Sequence, residues 1–132
     1  MTSLKVAFVA AAVLLSGCAI GGPAYGPKAP DVAAVVNMTT LLSFTPGEVT
    51  IRSGDTVEWR NTAIMHHTVT ADPARARNPA LVELPAGAAP FHSGEVQPGG
   101  VWRHTFTTPG RYRYICLPHE GQGMHGVVNV TP

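Results

Sequence analysis

From about Ala33 to Thr131 the chain is cut into short runs by glycine and proline. Phe44-Thr45-Pro46-Gly47, Ser53-Gly54-Asp55 and Pro109-Gly110 have the composition of turns. Between them the apolar residues alternate instead of recurring at helical spacing, so segments 35–38, 48–51, 56–61, 68–70, 101–107, 111–116 and 126–131 are expected to be strands. In 56–61, Val57 and Trp59 share one face with charges on the other, the pattern of a half-buried strand. Trp102, His104 and Phe106 share a face, and so do Tyr112, Tyr114 and Cys116. Residues 72–95 lack a clear period and form a long irregular connection, with a helical turn expected at 74–77 or 80–84. Seven or eight short strands punctuated this way imply an all-β sandwich or small barrel around one core.

Composition narrows the function. The formal net charge is +1, which leaves no long-range field for nucleic acid and predicts weak electrostatic steering of partners. Charged residues are only 13%, but 45% hydrophobic residues supply a core and argue against disorder.

The N-terminal segment is an address. Lys5 precedes an uncharged apolar run at 6–15, about half of what a membrane-spanning helix needs. Leu15-Ser16-Gly17-Cys18 then resembles a bacterial lipoprotein signal, in which Cys18 becomes the lipidated first residue. The competing reading is an ordinary signal peptide with a chance cysteine. The expected organisation is a signal at 1–17, a lipidated Cys18 with a flexible Gly/Pro-rich tether to residue 32, and one domain over 33–132. The protein is then exported, on the periplasmic or another extracytoplasmic face, monomeric, and in contact with membrane only through its lipid. The chain has two cysteines, Cys18 and Cys116, which an oxidising compartment would allow to pair. Lipidation of Cys18 removes that option and leaves Cys116 as a lone thiol that needs a use.

Cys116, His119 and Met124 stand within one short run, and His67 lies 49 positions before the cysteine. A thiolate, two imidazoles and a weak axial thioether are the donor set of a blue-copper site serving both Cu(I) and Cu(II). Cys116 to His119 extends at most about 10 Å, so both side chains can meet one ion after the strand ends. Gly121 and Gly123 let the loop turn and bring Met124 back. His67 must arrive from another strand, so the metal joins two parts of the sandwich. Taken singly, each of these residues has an ordinary alternative: a buried thiol, a core methionine, a solvated histidine.

The run from Pro109 to Val130, with Pro109-Gly-Arg-Tyr112, Cys116-Leu-Pro-His119 and Met124-His-Gly126, resembles the C-terminal signature of the cupredoxins, in particular plastocyanin, amicyanin and pseudoazurin. Phe44-x-Pro46, Gly54-Asp55-Thr-Val-x-Trp59-x-Asn61, His67-Thr-Val69, Phe91-His-Ser-Gly94 and Pro98-Gly99 are similar to the same family. The resemblance covers roughly residues 33–132. It implies a Greek-key β-sandwich, one type 1 copper held by His67, Cys116, His119 and Met124, and electron exchange with redox-protein donors and acceptors through an apolar face around His119. The four-residue gap between His119 and Met124 is closer to plastocyanin than to amicyanin.

Four further histidines and two decoys accompany this reading. His66 adjoins His67, and strand neighbours point to opposite faces, so only one of them enters a site; the family pattern of a histidine followed by a polar residue and valine selects His67. His125 is expected at the surface, His92 in a loop, and His104 partly buried and in need of a hydrogen-bond partner. Gly121-x-Gly123-x-x-Gly126 matches a dinucleotide-binding pattern, but a final strand follows it where a helix is required. His119-Glu120 begins a zinc-protease motif that Gly123 breaks. Ile115 and Leu117 flank Cys116 where a multicopper enzyme needs histidine, and only Cys116 is free for the two-cysteine loop of a binuclear copper site. An electron carrier rather than an enzyme is therefore expected, with copper storage or delivery as the alternative and a metal-free structural sandwich as the remaining possibility.

Overall fold

A computed structural model describes residues 25–132, so the segment expected to be a signal and Cys18 lie outside the described residues. Among the described residues nine strands form: β1 (Ala34–Met38), β2 (Phe44–Thr45), β3 (Glu48–Arg52), β4 (Thr56–Asn61), β5 (Thr70–Ala71), β6 (Phe91–His92), β7 (Val101–Thr105), β8 (Gly110–Ile115) and β9 (His125–Thr131). They build two sheets, in the orders β2-β1-β4-β7 and β3-β9-β8-β5-β6. The all-β sandwich is as expected. The count exceeds seven or eight because β2 and β6 are two-residue pairings, too short to show a period in sequence, while the strand expected at 68–70 is reduced to the two residues of β5.

β1 runs parallel to β4, with Val36 beside Trp59, and β4 runs antiparallel to β7, with Trp59 opposite Trp102. In the second sheet β9 lies between β3, parallel, and β8, antiparallel. The chain crosses repeatedly between sheets, in the manner of a Greek key. Alternation then turns one face of each strand inward. Trp59 is fully buried, with its ring edge-on to Tyr114 at 5.4 Å between centroids and tilted against Trp102 at 5.3 Å. Phe44 meets Tyr114 edge-on at 4.7 Å. Each such side chain, buried, contributes about 2–3 kcal/mol of transfer free energy. Gly126 faces Tyr114 across β8 and β9, and a Cβ there would run into the phenol. That contact, not a dinucleotide, is what the last glycine of the decoy pattern serves.

Two expectations are corrected. β4 is not half-buried: Glu58, expected on a solvent face, has a side chain only 4% exposed. β4 is interior to its sheet, and Glu58 lies between two guanidinium groups, accepting from Arg60 Nε at 2.6 Å and from Arg103 at 2.7 Å. The described part of the segment read as a flexible tether, 25–32, also makes specific contacts with the domain. The Tyr25 hydroxyl donates to the Asn61 carbonyl, Arg60 donates to the Gly26 carbonyl at 2.9 Å and lies over the Tyr25 ring, and Val32 is buried. Asp31 approaches Arg103 at 3.6 Å. The Gly/Pro composition that suggests freedom is overridden by tertiary contacts to β4 and β7. The irregular connection has its one 3-10 turn at Pro79–Leu81, within neither expected range but overlapping the second.

Burial alone raises the Glu58 pKa, but its bonds to Arg60 and Arg103 outweigh that and hold it below 4.5. Its stabilising effect is therefore present above the unfolded carboxyl value and is lost as pH falls through the lower folded one. Replacing Glu58 with Gln is expected to cost about 2 kcal/mol at neutral pH, since Arg103 is half-exposed and solvent screens part of the pair. It should also make the acid loss of stability below about pH 4.5 shallower. Denaturant unfolding at a series of pH values checks both; an unchanged acid limb would contradict the ion-pair account.

Candidate metal centre

Asn61 ends β4 and organises the crossover to the second sheet. Its amide donates to the carbonyls of Met65 and Val96, each at 2.8 Å, and its Oδ1 accepts the Ala63 N–H at 2.9 Å. The turn so formed delivers His67, whose backbone exchanges two hydrogen bonds with Val96 at 3.1 and 2.8 Å. The His67 ring is buried. His66 points the other way, with its side chain 44% exposed and 3.7 Å from Glu95.

Cys116 follows β8, beside β5, whose Thr70 pairs with Ile115. The loop after it is a 3-10 stretch, Leu117–Gln122, kinked at His119 and closed by Gly123 in the left-handed conformation. Gly123 alone supplies the positive φ; Gly121 does not need it. The Met124 N–H donates to the His119 carbonyl at 3.3 Å, and the Cys116 N–H to the Met124 carbonyl at 3.0 Å. Met124 thus returns beside Cys116, with its side chain buried. Thr68 ties the halves together: its N–H points at Cys116 Sγ at 3.4 Å, and its hydroxyl accepts the Leu117 N–H at 2.9 Å.

Three donor atoms converge. His67 Nδ1 lies 3.2 Å from His119 Nδ1 and 3.5 Å from Cys116 Sγ, and His119 Nδ1 lies 3.4 Å from the same sulfur. The point equidistant from the corners of a triangle with those sides is about 1.9 Å from each. Metal–nitrogen and metal–sulfur bonds of about 2.0–2.3 Å need little more, and a small displacement from the plane provides it. Burial lowers the His67 pKa, with the nearby His119 adding to the effect, which favours the neutral imidazole that metal binding needs. His67 Nε2 is buried without a hydrogen bond of ordinary geometry, and the Thr39 backbone is the group facing it. Burial pushes the Cys116 thiol up, against the opposing bonds from Thr68 and His119; a cation at the centre of the triangle would reverse that. A soft sulfur and two imidazoles around so small a triangle suit copper.

A sequence profile described as copper binding proteins, plastocyanin/azurin family, matches residues 30–131. The chain belongs to this family. It is 38% identical to plastocyanin of Scenedesmus fuscus over 93 residues, covering 67% of this chain and 87% of that protein. It is 36% identical to plastocyanin of Nostoc punctiforme over 93 residues, covering 68% of this chain and 66% of that protein. Among solved structures it is similar to amicyanin from Paracoccus versutus, with a TM-score of 0.60 and 28% identity over 79% of this chain and 85% of that one.

Of the residues singled out in sequence, His67, Cys116 and His119 stand together within 4.8 Å. Met124 is bonded to the same loop through its backbone. His125 is exposed. His92 lies in β6 instead of a loop, with Nδ1 2.8 Å from the Thr70 hydroxyl. His104 is packed among rings, stacked on Trp102 and 4.4 Å from Phe91 between centroids. Thr68 and Glu120 were missed, because their partners lie far away in sequence and no local pattern marks them. Asn61 was visible only as a letter of the family resemblance. Replacing Asn61 with Ala should leave two buried carbonyls unpaired and destabilise the fold by about 3 kcal/mol. It should also weaken metal binding by freeing the segment before His67. Thermal unfolding with and without copper tests this; a loss equal in both states would show that Asn61 does not position His67.

Proposed function

We propose that this protein carries single electrons between exported redox proteins, using one type 1 copper held by His67, Cys116 and His119 with Met124 as a weak axial ligand. The convergence of the three donor atoms carries the reading. Bound there, copper alternates between Cu(I) and Cu(II) and so takes up and releases one electron. The chain's part is to hold the donors still. His67 and Cys116 are fully buried, and Thr68 and Val96 fix them through backbone bonds, so the separations differ little between the two oxidation states. Ile115 and Leu117 flank the cysteine with no route to a second centre, which supports a carrier rather than a catalyst.

His119, partly exposed next to exposed Pro118, would be the donor through which a bound copper exchanges electrons with a partner. Leu41, 88% exposed, sits in the turn following Thr39, and Ile64, 82% exposed, in the crossover leading to His67. Both support an apolar contact face for a redox protein at this end of the sandwich. Among the described residues no helix is long and apolar enough to cross a membrane. Anchoring belongs in this reading to a lipid on Cys18, with the monomer exported and facing the periplasm or another extracytoplasmic space.

Adding Cu(II) to the purified protein should produce an intense visible band near about 600 nm that is lost in Cys116→Ser. Absence of the band from both proteins would overturn the proposal. Met124→Leu should keep the band and raise the potential, because an axial donor stabilises Cu(II) more than Cu(I). Retained copper over repeated one-electron cycles favours the carrier; ready surrender of copper to a chelator favours storage or delivery. Cys18→Ser should move the exported protein from the membrane fraction to the soluble one, and an unchanged distribution would refute the lipid anchor.

A further inference from the structure

The loop bearing His119 is tied to a distant part of the chain by a carboxylate with no place in the ligand set. Glu120 is buried. Its Oε1 accepts the Asn78 N–H at 2.7 Å, and its Oε2 accepts the Arg77 N–H at 3.0 Å. Two consecutive backbone donors therefore occupy both oxygens, the arrangement in which a carboxylate makes its strongest neutral-donor bonds. These donors belong to the connection between β5 and β6, which is itself held in place. Asn78 Oδ1 accepts the Ala80 N–H at 3.2 Å and opens the turn Pro79–Leu81. Glu83 then exchanges backbone bonds with Arg113 of β8 at 3.1 and 2.9 Å. A cleft lined by Thr68, Arg77, His92, Leu117 and Pro118 separates the loop from this connection, and Glu120 reaches the connection from the loop side.

We propose that Glu120 is a positioning residue for the metal centre. Its carboxylate latches the His119 loop to the backbone of Arg77 and Asn78, and it places a fixed negative charge one residue from a ligand. The latch keeps the loop from opening away from β5. The charge favours the more positive oxidation state of an ion held by His119 and so lowers the potential. This second effect rests on the copper-carrier reading; the latch does not.

The test uses the full chain with Glu120→Gln, which keeps the shape and removes the charge, and Glu120→Asp, which keeps the charge and falls short by one methylene. Amide hydrogen exchange in the metal-free protein reads the latch directly. In the wild type the Arg77 and Asn78 amides should exchange about tenfold or more slowly relative to both variants, as expected for loss of one charge-assisted hydrogen bond each. Wild-type exchange at the rate of an unstructured chain would overturn the latch, whether or not a variant folds. With copper bound, both variants should release the ion faster to a Cu(I) chelator, and the potential should rise in Glu120→Gln above that of Glu120→Asp. Equal potentials in the two variants would overturn the charge effect. Failure of the wild type to bind copper would sink the carrier reading, while the exchange experiment still decides the latch.

Discussion

Thr68 holds the metal end of the molecule together. It is the neighbour of His67, it directs its N–H at Cys116 Sγ, and its hydroxyl accepts the first N–H of the ligand loop. One residue thus fixes the crossover, the cysteine and the loop relative to one another. The pairing of β5 with β8 is short, through Thr70 and Ile115, because the chain has just left the other sheet to present His67. Thr68 and Thr70 are two apart and share a face, so their hydroxyls meet at 3.1 Å, and Thr70 in turn meets His92. This buried polar line is satisfied along its length, which allows hydroxyls in a core where unpaired ones would be costly.

The two histidines have unequal surroundings, and the inequality has a physical origin. His67 lies inside the crossover, where the Asn61 side chain and Val96 close around it. His119 lies on the outer side of a kinked 3-10 turn, followed by exposed Gly121, Gln122 and Gly123. A donor locked in the core keeps the triangle constant, and a donor at the rim leaves one corner of it partly exposed. A single fold edge meets both needs because the loop is closed by backbone bonds at Cys116 and Met124 and needs no cover of its own. The Glu120 carboxylate adds a third tie, on the side facing the β5–β6 connection.

The outer face of the β2-β1-β4-β7 sheet shows the same economy with charge. Glu58 is shared by Arg60 and Arg103, and both guanidinium groups reach outward to the N-terminal arm, Arg60 to Tyr25 and Gly26, Arg103 to Asp31. The buried carboxylate is therefore neutralised by cations that also fasten residues 25–32. The packed unit accordingly extends N-terminally from residue 33, the position at which strand alternation begins, and the family match from residue 30 agrees with that extension.

How much of this was legible depended on where each signal is stored. Cys116 and His119 were legible as candidates because donor chemistry is carried by residue identity and the loop keeps them close in sequence, and the structure brings both to His67. Alternation on extended chain left room for only one of His66 and His67, the family pattern selected His67, and the structure turns His67 to the sulfur and His66 to Glu95. Strand faces such as Tyr112, Tyr114 and Cys116 followed from period 2. What could not be read depends on partners distant in sequence. Glu58 has the appearance of a solvent-facing charge until β7 brings Arg103 against it across 45 residues. Glu120 is one more polar letter in a loop until residues 77 and 78 arrive from 43 and 42 positions away. β2 and β6 are too short to possess a period at all. Side-chain patterns encode which face a residue turns to the core; they do not encode which backbone N–H waits there, and at this metal centre much of the positioning is done by backbone N–H groups.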